Sequence, residues 1–458
     1  MDFSAANTAL WNIVIQLGMI AGAILLANFL RQKLAFIRNS LMPTAVIAGF
    51  IMLILKHLHV LPVDNNFLEI LVYHCIALGF IAMSLRVSRK SKDGKGDLTG
   101  LKSGAIIVGG YLVQGAAGLI ITLALAYTFM PDMFKAAGLL LPMGYGQGPG
   151  QANNVGMTYE ALGFTGGRSF GLALAAAGYI VACIVGVIML NVLRKRGAVR
   201  AGHGETAEKP DLSFFQDEDE IPVSESLDKL SVQLAMVLLV YLATYLATWG
   251  LTSGISALSE GLANTLNTLL WGFNFIIGSA LAILVRVLLD KAKEAGLVRR
   301  QYQNNYLLNR LSGFFFDIMI VAGIASIDLQ DLTGLWVPFI LLAVAGGFVT
   351  WYWLKIACKH VYRGYYYEGL ISMFGMQTGT IGSGILLLRE IDPDFSTPAA
   401  NNLVVGSTFA IVLGAPVLVL VGLASRSPAM CFLTLGLAVA YWAILALVIF
   451  KAGRKKKD

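Results

Sequence analysis

The chain is dominated by apolar runs far too long for a globular core. Eleven stretches are long and apolar enough to cross a bilayer: Thr8–Leu30, Leu41–Leu58, Phe67–Leu85, Ser103–Phe129, Arg168–Leu193, Leu230–Leu251, Thr265–Leu288, Leu307–Ile327, Leu335–Cys358, Asn401–Ala424 and Cys431–Phe450. A transmembrane helix needs about 20 such residues. In hydrocarbon the backbone must bond to itself, and none of these runs alternates as a barrel strand would, so each is a predicted helix. Charged residues make up 13 % of the 458 and hydrophobic ones 57 %. A soluble domain is about 25 % charged, so a soluble enzyme is excluded. The fold class expected is an all-α polytopic membrane protein.

Two further apolar, glycine-rich stretches, Ala136–Glu160 and Tyr365–Ile391, do not fit as spans. Each is read as a re-entrant hairpin that enters and leaves on one face. With the N-terminus outside, every lysine and arginine except Lys56, Lys135, Arg168 and Arg426 then falls on the inner side. Counting either stretch as a full span would invert all that follows and spoil this bias. The net charge of +7 therefore reads as topology, with the C-terminus inside, and no nucleic-acid partner is expected. The four cysteines (Cys75, Cys183, Cys358, Cys431) form no C-x-x-C pair, and the five histidines lack metal spacing. Neither a disulfide framework nor a transition-metal site is expected. Neither an H-E-x-x-H nor a Walker A motif is present, and the chain does not read as an enzyme.

The polar segment Arg194–Lys229, with its acidic run Asp217–Glu220, reads as a cytoplasmic linker between two halves, residues 1–193 and 230–424. Each half has the same order: four spans, a glycine-rich segment, one span. At one constant offset, Gly138, Leu139, Gly144 and Gly148 meet Gly369, Leu370, Gly375 and Gly379. At a slightly different one, Ile47, Gly49, Ile54 and Leu55 meet Ile276, Gly278, Ile283 and Leu284. An odd number of crossings per half makes the halves inverted repeats, a transporter architecture with its sites near the midplane. Residues 428–458, an eleventh helix and a basic tail, lie outside the repeat.

The first glycine-rich segment reads PMGYGQGPGQANN from Pro142 to Asn154, and the second FGMQTGTIGSG from Phe374 to Gly384. Both should break a helix. A break frees N–H groups that attract an anion and carbonyls that attract a cation. Packing explains the glycines but not the amides and hydroxyls beside them. Candidate substrate-binding residues are Gly146, Gln147, Gly148, Asn153, Gln377, Thr378, Gly379, Asn401 and Asn402. Candidate ligands for a Na⁺ ion are Thr378, Thr380, Ser383, Ser407, Thr408 and Asp317, the one acid deep in a span. Glu160, Arg168, Glu368 and Arg389 flank the hairpins as interfacial groups or gate ion pairs.

These residues resemble the bacterial sodium/glutamate symporter family, over about Met1 to Ala424. The likeness rests on LMPTAVIAGF (Leu41–Phe50), the loop Gly144–Gly150, and the stretch from Gly375 through Thr397 to Leu418 with its REIDPDF turn. The resemblance implies two inverted five-helix repeats with re-entrant hairpins and a homodimer in the bacterial inner membrane. It also implies Na⁺-driven uptake of L-glutamate by an elevator movement, with Na⁺ as coupling ion and no organic cofactor. Three features depart from the family: the first loop has no histidine, Asp317 replaces an apolar residue, and the last helix is extra. Another amino acid or carboxylate therefore stays open as substrate. A symporter for a different organic anion, or an ion channel or passive pore, is the alternative.

The charge bias can be checked directly. Single cysteines at Asn65 and Lys456, in a background without native cysteines, are expected to react with an impermeant thiol reagent in intact cells at Asn65 only.

Overall fold

The computed structural model describes residues 3–4, 6–39, 41–87, 98–196, 229–258, 270–271, 274–298, 300–392 and 397–451. The expected linker falls outside the described residues except at its two ends, as do the basic tail beyond Lys451 and the last three residues of the REIDPDF turn. The helices are α1 (Thr8–Lys33), α2 (Ala35–Asn39), α3 (Thr44–His57), α4 (Asn65–Ser84), α5 (Leu98–Thr128), α6 (Pro149–Ala161), α7 (Gly167–Lys195) and α8 (Lys229–Leu258). They continue with α9 (Asn274–Glu294), α10 (Asn305–Ala325), α11 (Trp336–Val361), α12 (Tyr366–Thr378), α13 (Ile381–Arg389), α14 (Ala399–Ala424) and α15 (Pro428–Lys451). A 3₁₀ turn at Lys135–Leu139 and a π turn at Pro142–Gly146 precede α6. No β-sheet occurs among the described residues.

Nine helices are long and apolar enough to cross a membrane among the described residues: α1, α4, α5, α7, α8, α10, α11, α14 and α15. This is a polytopic α-helical membrane protein. Of the other two expected spans, the second is shorter and the seventh is only partly among the described residues. The second is a helix of 14 residues, about 21 Å at 1.5 Å per residue, against a hydrocarbon core of about 30 Å. Pro43 starts it, and Leu58 and His59 leave the helical path after it. The seventh is a continuous helix from Asn274 and runs on into Asp290, Lys291, Lys293 and Glu294, while residues 265–269 and 272–273 of the expected span lie outside the described residues. The apolar pattern located both helices; the polar residues at their ends set where they stop. The large apolar side chains left exposed on α8 (Leu239, Leu242, Trp249) and α1 (Leu25, Phe29) suit contact with lipid.

Two packing units are interleaved along the chain, one of residues 1–70, 95–204 and 320–458, the other of residues 71–94 and 205–319. The first is organised on α5, whose buried residues run almost its whole length. Helices α11, α14 and α15 pack against α5, as do the turns before α6; α12 packs on α7 and α11. In the second unit α8 packs on α9, and Phe80 lies among Phe275 and Phe316 at ring-centroid distances of 5.2 and 5.5 Å.

The last helix is integrated with the first unit. Trp442 meets Trp353 of α11 at 5.6 Å, Phe432 stacks on Tyr127 of α5 at 6.0 Å, and the Tyr441 hydroxyl donates to the Leu413 carbonyl of α14 at 2.7 Å. Although the repeat pattern leaves α15 outside the working halves, its removal lays one side of α5 bare. A chain ending at Ser427 is expected to reach the membrane but to unfold several degrees lower in detergent, as read by tryptophan fluorescence or by size-exclusion after heating.

Candidate functional site

Two segments of the first unit stop being helical among buried residues. In the first, the π turn ends at Gly146, and Gly148 takes a φ of +88°, a backbone region open to glycine at little cost. Pro149 then opens α6 at the first helical position, where its missing N–H leaves no bond unmade. In the second, α12 ends at Thr378, Gly379 leaves the helical path, Thr380 is extended, and α13 starts at Ile381. Gly148 and Thr380 are thus the N-caps of α6 and α13, and neither helix receives a side-chain cap there.

The two caps lie together. A Cβ built on Gly148 would sit 3.9 Å from Thr380 Cγ2 and 4.0 Å from the Tyr179 hydroxyl of α7. One turn into each helix stands a buried polar side chain without a protein partner, Gln151 Oε1 in α6 and Ser383 Oγ in α13. The first N–H groups of a helix have no intrahelical acceptor, and the macrodipole places about half a positive charge there. Two adjoining N-termini with the Ser383 hydroxyl beside them make a place suited to an anionic group, while Gln151 Oε1, an acceptor, calls for a donor or a cation.

Helix α5 supports the break from behind. Gln114 Nε2 donates to Thr350 Oγ1 at 2.7 Å and to the Gln377 carbonyl at 3.0 Å, one of the carbonyls that the end of α12 leaves without an intrahelical donor. Gln377 Nε2 donates to the Ile106 carbonyl of α5 at 3.2 Å, and its Oε1 packs against Gly110. Since these partners accept, each amide must present its nitrogen to them and leave its oxygen unpaired.

Of the residues singled out in the sequence, the fold brings Gly148, Gly379, Thr380 and Ser383 to the junction. Gly146 is wedged against Tyr111 and Gln114 of α5, and Gln147 closes the π turn through its N–H to the Pro142 carbonyl at 3.2 Å. Asn153 is fully buried in α6 with Oδ1 unpaired. The Thr378 hydroxyl is spent on the Phe374 carbonyl of its own helix at 2.8 Å. Ser407 bonds the Leu403 carbonyl and approaches Met376 Sδ at 3.8 Å, one turn below the break; Thr408 bonds only Val404. Asn402 donates to Tyr365 at 2.6 Å, beside the start of α12 and about 20 Å along that helix from the break, and Asn401 is exposed. Asp317 belongs to the second unit and is exposed on α10.

Sequence reasoning missed Gln114, Gln151, Thr350 and Tyr179. A lone amide in the apolar run of α5 was the available signal for Gln114. Of the flanking charges, Arg168 holds Glu160 at 2.9 Å and also Glu69, joining the end of α6 to α4. Among the described residues no three His, Cys, Asp or Glu side chains are grouped to hold a metal. No protein-family model matches the chain, and no curated protein matches it.

The two kinds of polar residue should respond oppositely to removal. Gln114→Leu strands the Gln377 carbonyl in an apolar interior, at a cost of about 1–3 kcal/mol, and is expected to lower the unfolding temperature. Ser383→Ala removes a hydroxyl that has no protein partner, and is expected to leave that temperature unchanged or raise it slightly.

Proposed function

We propose that the protein is a secondary active transporter that carries a small organic anion with Na⁺ as coupling ion. The observation that carries this reading is the meeting of the α6 and α13 N-caps at Gly148 and Thr380. An anionic substrate would take the free N–H groups there, and Na⁺ would take neutral oxygens near the break, as a hard cation does. On this reading the two broken segments are re-entrant hairpins.

Reciprocal packing supports inverted repeats. Gly49 of α3 faces Ile324 of α10, where a Cβ would lie 2.8 Å from the Ile324 Cβ; Gly278 of α9 faces Ile81 of α4, at 2.9 Å from its Cδ1. Lys56 of α3 donates to the carbonyls of Ala325 and Ile327 at the end of α10, both at 2.9 Å. Arg286 of α9 donates to those of Ser84 and Arg86 at the end of α4, at 3.5 and 3.1 Å. In α5 Gly110 of the Gly109-Gly110 pair receives Gln377, which bonds the carbonyl of Ile106, while Gly109 faces Trp353. In α11 Gly346 of the Gly346-Gly347 pair receives Tyr145, which bonds the carbonyl of Ala343, while Gly347 faces Val181. Each accepting carbonyl lies three residues before the first glycine of its pair. One half's second helix thus caps the other half's third, in both directions, and each broken segment is seated on the other half's paired glycines.

Glutamate as substrate, a homodimer and an elevator movement rest on the resemblance to the sodium/glutamate symporters. The test is uptake into proteoliposomes with a panel of amino acids and dicarboxylates, with Na⁺ and H⁺ gradients imposed separately. Saturable uptake of an anion that collapses without the Na⁺ gradient is expected. Flux that rises linearly with substrate and ignores both gradients would establish a passive pore instead.

A further inference from the structure

The two reciprocal caps are built alike but differ in charge. Around Lys56 the negative charges of Asp328, Asp331 and Glu69 are close enough to act on the ammonium, and its three hydrogen bonds, to Asn65, Ala325 and Ile327, use all three of its N–H groups. These acids favour the ammonium against its burial.

At the other cap no carboxylate among the described residues is paired with the basic groups. Arg286 reaches the carbonyls of Ser84 and Arg86. Arg86 donates through Nε to the Met83 carbonyl at 2.9 Å and through Nη1 to Asn309 Oδ1 at 2.5 Å. The charge that acts on Arg86 is that of Arg286, and burial together with this like charge pushes the guanidinium down to about 10. No carboxylate among the described residues pairs with either arginine. Each guanidinium has five N–H donors, so several remain unused. The hydroxyl of Ser84, 4 % exposed, has no partner either. Two half-buried like charges repel unless a counter-charge lies between them.

We propose that Arg86 and Arg286 bind a phosphate group at the end of α4. A guanidinium grips phosphate oxygens through two parallel N–H bonds, and two guanidiniums supply the charge that the acids supply in reverse at Lys56. The site stands at the last turn of a membrane-crossing helix, on the side where the basic residues concentrate, so an anionic phospholipid headgroup and free phosphate are the two sources of the ligand. It lies wholly within the second unit and does not depend on what the protein transports.

Thermal unfolding of the purified full-length chain in a non-ionic detergent tests it, with phosphatidylglycerol, phosphatidylcholine or inorganic phosphate added, and native mass spectrometry counts retained lipid. Three variants are compared with the wild type. Arg86→Gln removes the charge. Asn309→Leu removes one of the protein bonds to Arg86 but keeps both charges. Arg86→Lys keeps the charge without the planar fork. Phosphatidylglycerol is expected to stabilise the wild type and Asn309→Leu, with apparent affinity at least tenfold weaker in Arg86→Gln and intermediate in Arg86→Lys. The same pattern with inorganic phosphate alone would support the site with free phosphate as its ligand. Stabilisation equal in all variants, stabilisation by phosphatidylcholine as strong as by phosphatidylglycerol, or none with any addition would overturn the proposal. Should Arg86→Gln fail to fold, wild-type affinity in Arg86→Lys would overturn it.

Discussion

A helix that ends inside an apolar interior leaves carbonyls and N–H groups that water cannot reach. The Gln114 amide answers the first of these needs, taking the Gln377 carbonyl at the end of α12 while it holds Thr350 of α11. Around that bond α5 becomes the centre of its unit. The helices α11, α14 and α15 surround it, and both broken segments are seated on it. The N–H side of the break is treated differently. At Gly148 and Thr380 no side chain caps the new helices, and the polar atoms one turn further on are unpaired. Unpaired buried groups cost about 1–3 kcal/mol each. The Gln377 carbonyl is answered, while Gln114 Oε1 and Gln377 Oε1 and the polar atoms beside the N-caps stay unpaired.

The second organising feature is reciprocity. Glycines allow α3 to approach α10 and α9 to approach α4, and a basic residue on each approaching helix closes the end of the other. Such caps matter in a membrane protein because the last four carbonyls of a helix have no donor of their own. The two caps carry the same hydrogen-bond pattern but opposite electrostatic surroundings, acids near Lys56 and a second arginine near Arg286. The difference is what separates a self-contained structural device from one that calls for an anion.

Much of this was legible in the chain. Length and apolarity mark the spans, because the bilayer leaves a backbone no other acceptor than itself. Gly148, Gly379, Thr380 and Ser383 could be singled out because glycine beside hydroxyls and amides has no purpose in a plain span. The paired glycines at Gly109 and Gly346 were equally visible, but their meaning was not: a glycine records that something comes close, never what. Gln147, Thr378, Asn401 and Asn402 looked like ligands by type. In the fold, two bond to their own helix or turn, one to Tyr365, and one is exposed.

What the sequence by itself determined is the class of solvent the chain lives in, the rough position of its helices, and the two points where helix gives way. These follow from composition over windows of about 20 residues, which tertiary contacts cannot change. The tertiary structure alone decided that the breaks meet cap to cap, that Gln114 supports one of them, that Asp317 lies in another unit, and that α3 stops short. Those outcomes depend on which residues hundreds of positions apart become neighbours, and a hydrogen bond is specified by both of its partners while a sequence pattern shows only one at a time.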